Sequence, residues 1–347
     1  MKKFKFIATL FVAAMLSTGL TAIAEEKTKE YNESWPASGI STLEVVNKFG
    51  EVKVTNEGGS EITIDVTITV EAANERKAED LLGMIEVEFR KSQSTLKAET
   101  RIGNNFKGQR KFSIDYEINI PSDKNLKITN KYGNTIVNKL EADGEFITKY
   151  GNFTANTLNT PEGGDLNVIL AYGNANIGAA TNLDVVISYS PITIGEVNTL
   201  DVTSKYSTVN VEEAGDIKIE SKYDKFNFEE VESVTASTKY SHIRIEELAK
   251  SLKIEAGYGG IKVGEVSDDF EFISVTNSYG SISLGLEGLS YEVDASCHYC
   301  GISYPEDEFT GDRIKENNSR TIKGKVGTGT GGKIMVRSRY GEIKLRD

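Results

Sequence analysis

Four groups of residues have types and spacing that could support chemistry. Gly327-Thr328-Gly329-Thr330-Gly331-Gly332-Lys333 satisfies the G-x-x-x-x-G-K pattern of a phosphate-cradling loop. Such a loop then needs Ser or Thr for magnesium and a helix N-terminus facing the phosphates. Here Ile334 follows and Ile334-Met335-Val336 reads as a strand, so a flexible loop is the better reading. Cys297-His298-Tyr299-Cys300 has redox spacing but lacks the helix N-terminus that lowers a thiol pKa. Zinc would need four ligands, and His242 is the only other histidine. The choice left for Cys297 and Cys300 is a local disulfide or two free thiols, and export would favour the disulfide.

The third group is acidic. Glu196, Glu213, Glu230, Glu247 and Glu265 recur at nearly constant spacing, doubled by Glu212, Glu229 and Glu246. Stacked about 4.8 Å apart, they could repel or gather a hard cation such as calcium. The Asp- and Gly-rich loop of solenoid calcium sites is missing, so a solvated acidic edge is expected and no metal or other cofactor is assigned. The fourth group is aromatic and basic. Phe49, Tyr132, Tyr150, Tyr172, Tyr189, Tyr206, Tyr223, Tyr240, Tyr258, Tyr279, Tyr299 and Tyr340 each precede a small or polar residue. Lys205, Lys222 and Lys239 stand directly before three of them, with Ser204, Ser221 and Thr238 alongside. These three lysines are the candidate binding ladder, suited to an acidic or hydroxyl-rich polymer through many weak contacts. The tyrosines have two readings, a structural column inside a corner or an exposed stripe. Counting back from Tyr223 by twos meets Ser221, Ile219 and Ile217, so strand parity places the column inward.

The element that must position these groups is a repeat. From Tyr132 to Tyr299 the steps are 18, 22, 17, 17, 17, 17, 18, 21 and 20 residues. Three and five residues after most aromatics the chain is apolar, as in Ile192/Ile194, Val209/Val211 and Phe226/Phe228, with a polar residue between. In the 17-residue rungs apolar pairs return at Leu200/Val202, Ile217/Ile219 and Val234/Ala236. Spacing of two fits strands with one buried face and does not fit a helix. Each rung therefore reads as two short strands and two bends. A lone rung cannot bury its apolar stripe, but a stack can, with each strand parallel to its counterpart in the next rung. The predicted fold is all-β, a parallel β-solenoid of 17–22-residue rungs. The rule for parallel connections favours right-handed coiling.

The organisation follows from where the period breaks. Residues 1–24 have a basic start (Lys2, Lys3, Lys5), an apolar stretch and Ala22-Ile23-Ala24, the form of a signal peptide. Residues 25–41 are a lead-in, and 42–121 hold a first rung and an α+β capping insert with one helix over 72–84. Rungs fill 122–304, a polar Gly-rich insert spans 305–332, and 333–347 close the stack. No cysteine follows the apolar stretch for lipid attachment, and no later run is long enough for a membrane span. Export to the periplasm, the outer surface or the medium is expected. Fifty-two acids against 40 bases make nucleic acid a poor partner. Two histidines leave little for acid–base work.

The opening Asn47-Lys48-Phe49-Gly50-Glu51-Val52-Lys53-Val54, the insert ending Ile118-Asn119-Ile120-Pro121, the serial Tyr rungs and the closing Tyr340-Gly341-Glu342-Ile343-Lys344-Leu345 appear in that order. This order resembles the putative adhesin family of bacterial envelope proteins, also described as the head domain of an autotransporter adhesin. The resemblance covers nearly all of 42–347 and implies an exported β-solenoid with no assigned catalytic residues. The expectation is a non-catalytic binding or structural module of the envelope that meets a glycan or a protein. A carbohydrate-active β-helix enzyme and an envelope-stress scaffold are the alternatives. The enzyme would need clustered Asp with a base, and Asp224 is the only Asp directly after an aromatic.

Overall fold

The computed structural model describes residues 25–106 and 112–345, so the signal-peptide reading of 1–24 lies outside the described residues. The protein is all-β, 69% strand and 3% helix, and its repeats form a parallel β-solenoid of about nine turns. Contacts divide the chain into two units, 1–165 and 166–347.

In the second unit the constant rung length becomes constant register. Strands Ala175–Ser188, Pro191–Lys205, Thr208–Lys222, Lys225–Lys239 and His242–Gly257 pair in parallel, each with the next. The 17-residue step sets the offset, so Ile192, Val209, Phe226 and Ile243 lie over one another, as do Leu200, Ile217 and Val234, with Leu252 joining this second row after a one-residue shift. All eight are buried, which is how a stack of weakly apolar rungs makes one continuous core. In these five rungs the expected pair of strands is instead one strand of 14 to 16 residues that bends near its middle without ending, whereas Ile261–Val266 and Phe272–Ser278 keep the pair. Around the bend pairing skips Gly195/Glu212 and Asn198/Gly215 while the register is kept. A Cβ at Gly215 would lie 2.4 Å from the Asn198 carbonyl oxygen, so close approach of successive rungs requires glycine there.

The end of this unit is interleaved. Strand Lys333–Arg339 pairs in parallel with Phe272–Ser278 on one side and with Tyr291–His298 on the other. Ile343–Leu345 likewise sits between Ile282–Leu284 and Ile302–Ser303. The last rung in sequence is thus the last but one in space. The insert that precedes it is ordered: Phe309–Glu316 and Ser319–Val326 form an antiparallel hairpin whose second strand pairs with Tyr291–His298. Residues 327–332, with Gly327 and Gly329 at φ 59° and 67°, then carry the chain back.

The first unit solves the same problem at its own end. The first rung, Thr42–Lys48 and Val52–Thr55, lies between later rungs (Asn125–Lys131, Thr135–Leu140) and strands of the insert (Thr95–Ile102, Phe112–Asn119). The insert's helix is Glu75–Leu82, shorter than the expected 72–84 because the Asn74 side chain accepts from the Lys77 N–H and starts it there. Residues 25–36 are more than a lead-in. Glu25–Pro36 is a strand, antiparallel to Glu61–Ala72, with Tyr31 and Trp35 against Phe89.

Candidate functional site: the tyrosine corner

At every aromatic of the repeat the backbone turns through the left-handed region, with φ between 52° and 66°. Tyrosine there is costly by about 1–2 kcal/mol relative to an ordinary conformation. The consequence is geometric. A left-handed residue breaks strand alternation, so the side chain leaves the corner instead of filling it. The inward placement deduced from parity is therefore corrected. Tyr132, Tyr150, Tyr172, Tyr189, Tyr206, Tyr223, Tyr240, Tyr258, Tyr279, Tyr299 and Tyr340 are 42–51% exposed. Parity counting assumes extended backbone, and one left-handed residue invalidates it.

The rings cover one another. In the second unit the order is Tyr172, 189, 206, 223, 240, 258, 279, 340 and 299, with centroids 4.6–5.1 Å apart and planes within 20°. Tyr340 takes its place before Tyr299 because of the interleaved rung. The first unit carries its own column, Phe49–Tyr132–Tyr150, at 5.0 Å spacing. Phe49, the one position of the column without a hydroxyl, is also packed by Phe112 at 4.8 Å, and Tyr299 by the His298 ring at 4.3 Å. Stacked neighbours occupy the ring faces, leaving edges and hydroxyls for solvent or a partner.

Beneath the rings lies a buried polar column that the sequence reading placed elsewhere. Ser204, Ser221 and Thr238 are at most 6% exposed and cannot reach a polymer. Ser204 and Ser221 hold the corner through hydrogen bonds. Ser204 Oγ donates to Asp224 Oδ2 at 2.8 Å, and Ser221 and Ser241 hydroxyls lie 3.0 Å apart. Elsewhere an Asn does this work: Asn277 Nδ2 donates to the carbonyls of Gly259 and Gly280, and Asn130 Nδ2 to those of Gly50 and Asn134. Asp224 is 2% exposed and accepts from the Ser207 and Lys222 amides at 2.6 and 3.1 Å. Burial raises its carboxyl pKa, while these hydrogen bonds oppose the rise. The one Asp following an aromatic is thus a corner brace out of reach of substrate.

The remaining groups fall around the corner. Lys205, Lys222 and Lys239 are exposed and in register, with the Lys205 ammonium 5.1 Å from the Tyr206 ring centre. Cys297 and Cys300 bracket Tyr299, whose left-handed bend brings their Cα atoms to 5.5 Å with the sulfurs bonded. The glutamates Glu196, Glu213, Glu230, Glu247 and Glu265 pair rung to rung along the mid-rung bend and line a shallow groove of about 800 Å³. Among the described residues no three His, Cys, Asp or Glu side chains converge as metal ligands would. Lys333 of the Gly-rich motif begins a strand, so no helix N-terminus faces that loop. Among the described residues no helix is long and apolar enough to cross a membrane.

No protein-family model matches the chain, and no curated protein does. Among solved structures it is similar to a putative adhesin from Parabacteroides merdae, 13% identical over 68% of this chain and 96% of that one, with a TM-score of 0.43. It is also similar to a putative lipid binding protein from Parabacteroides distasonis, 12% identical over 74% and 96%, TM-score 0.36. A putative cell adhesion protein from Clostridium sporogenes is 10% identical over 92% and 99%, TM-score 0.22.

Proposed function

We propose that the protein is an exported, non-catalytic binding module of the bacterial envelope, presenting a repeated rigid face to a glycan or a protein. One observation carries this reading: rung after rung, a half-exposed tyrosine occupies a backbone conformation that glycine or asparagine would fill more cheaply. Local strain kept at the same exposed position throughout a repeat points to a use for the side chain. The enzyme alternative loses support because Asp224 is buried and the exposed acids sit in equivalent surroundings. General acid–base work needs neighbouring groups with separated pKa values.

The test is co-sedimentation of purified protein with isolated cell envelopes, run beside assays for glycan cleavage. The triple variant Tyr206→Asn, Tyr223→Asn and Tyr240→Asn keeps a residue that accepts left-handed backbone but removes three rings. Saturable binding that falls at least tenfold in this variant, with unchanged circular dichroism, supports the reading. Undiminished binding would refute it, and so would turnover of a polysaccharide abolished by one Asp or Glu substitution.

A further inference from the structure

Resting on that binding reading, we infer that the ligand of the tyrosine face is an extended acidic polysaccharide, gripped by cations on both sides of the ring column. The chain as a whole is acidic, with a net charge of −12. The strip along the tyrosines is not. Across the four rungs of Tyr206, Tyr223, Tyr240 and Tyr258, from the residue before the ring to the fourth after it, stand Lys205, Lys222, Lys225, Lys239, Arg244 and Lys262. All six are exposed. The only acid in those segments is Asp224, which is buried.

The cations form two flanks. Lys205, Lys222 and Lys239 are register partners on one side. On the other, Lys225 pairs with His242, and Arg244 with Lys262. Neighbours in each row lie one strand spacing apart, about 4.8 Å. Arg244 also contacts Glu246, where the acidic band begins. Among the described residues Lys222, Lys225 and Lys239 take part in no ion pair, so their charge is available to a ligand. The second flank is indented. Gly260 follows His242 in its row, and with no side chain there a depression of about 290 Å³ opens, lined by Lys225, His242, Arg244 and Lys262. The Gly260 N–H donates to His242 Nδ1 at 3.1 Å, which leaves the proton of the neutral ring on Nε2 as a donor. A carboxylate or sulfate substituent would find three cations and a fixed N–H in that dent.

The rings themselves select against other polyanions. A nucleic-acid strand binds aromatic residues by stacking bases on open ring faces. Here the faces are covered by the next tyrosine, and the 4.6–5.1 Å ring spacing does not match a base step of roughly 3.4 Å. What the column offers is a row of phenolic hydroxyls, each able to donate and accept, at the strand spacing. An extended pyranose chain presents hydroxyls and acidic groups at a comparable repeat. It could engage successive rungs, adding weak contacts by multivalency.

The experiment compares the full chain's affinity for polygalacturonate with that for the same polymer after complete methyl esterification, which removes the charge and keeps the backbone. The expected result is at least tenfold tighter binding of the acidic form, weakening as salt rises. Two triple variants, Lys205→Glu/Lys222→Glu/Lys239→Glu and Lys225→Glu/Arg244→Glu/Lys262→Glu, should each lower that affinity at least tenfold with unchanged melting. The control Glu196→Gln/Glu213→Gln/Glu230→Gln should not lower it. Equal binding of both polymers, or no loss in either cationic variant, overturns the inference. Absence of binding to both polymers also overturns it, and the envelope assay above then decides separately whether the binding reading survives.

Discussion

Tyr223 shows in one side chain how strain and stacking offset each other. Its φ of 66° disfavours it by about 1–2 kcal/mol, and each parallel contact, to Tyr206 and Tyr240 at 4.9 Å, returns about 0.5–1.5 kcal/mol. The net contribution to stability is therefore small. Tyr223→Asn should change the unfolding free energy by less than about 1 kcal/mol, whereas Tyr223→Val, β-branched and without a ring, should destabilise by about 2 kcal/mol or more in chemical denaturation. Asp224 beneath it is a pH-dependent brace. Burial raises its carboxyl pKa above the unfolded value, so the folded state binds the proton more tightly. Its contribution is then fully present below the unfolded pKa, near 3.9, and is lost as pH rises through the folded pKa. Asp224→Ser, which copies Ser207 and Ser241 of the adjacent rungs, should remove this dependence. Denaturant melts should show the wild type losing stability relative to the variant as pH climbs out of the acid range. Parallel curves would contradict the assignment.

Among the elements, the rung was legible in the sequence because its two determinants are local. Apolar residues at spacing two fix which side of the strand is buried, and the near-constant step fixes register. The corner was not legible. Whether Tyr189 faces in or out depends on a single left-handed residue, and the alternation of Ile192/Ile194 and Val202/Ser204 is the same in both cases. The capping insert was readable from the helix formers around Ala78 and the alternation from Ile62 to Val70, but the partner of that strand, Glu25–Pro36, was not. Its Glu- and Lys-rich segment pairs with a neighbour far along the chain, and nothing local marks it. The order of the last rungs was also hidden, since the motif at Tyr340 reads the same wherever its strand inserts. Because Lys333–Arg339 is paired on both edges, it should behave as an interior strand. Its amides should exchange as slowly as those of Phe272–Ser278. Val336→Asp, a charge at a position 0% exposed, should cost more than about 4 kcal/mol. Rapid exchange of residues 334–338 would show that the interleaving is wrong.

At the scale of the molecule, each unit buries a terminal rung inside itself: Thr42–Thr55 in the first and Lys333–Leu345 in the second. The ends that would fray are held from both sides, and open strand edges fall to Glu25–Pro36, to Ile85–Ser92 of the insert and to Phe309–Glu316 of the hairpin, all rich in charged residues. Charge is distributed with equal regularity: acids follow the mid-rung bend, and cations follow the tyrosines of the second unit. Hydroxyl-radical footprinting with mass spectrometry tests most directly whether a ligand covers the tyrosine face. With polygalacturonate present, Tyr206, Tyr223, Tyr240 and Tyr258 should lose reactivity together, while Tyr304, away from the column, keeps its own. Protection that leaves these four tyrosines unchanged, or that falls instead along the groove of Glu213, Glu230 and Glu247, would contradict that coverage.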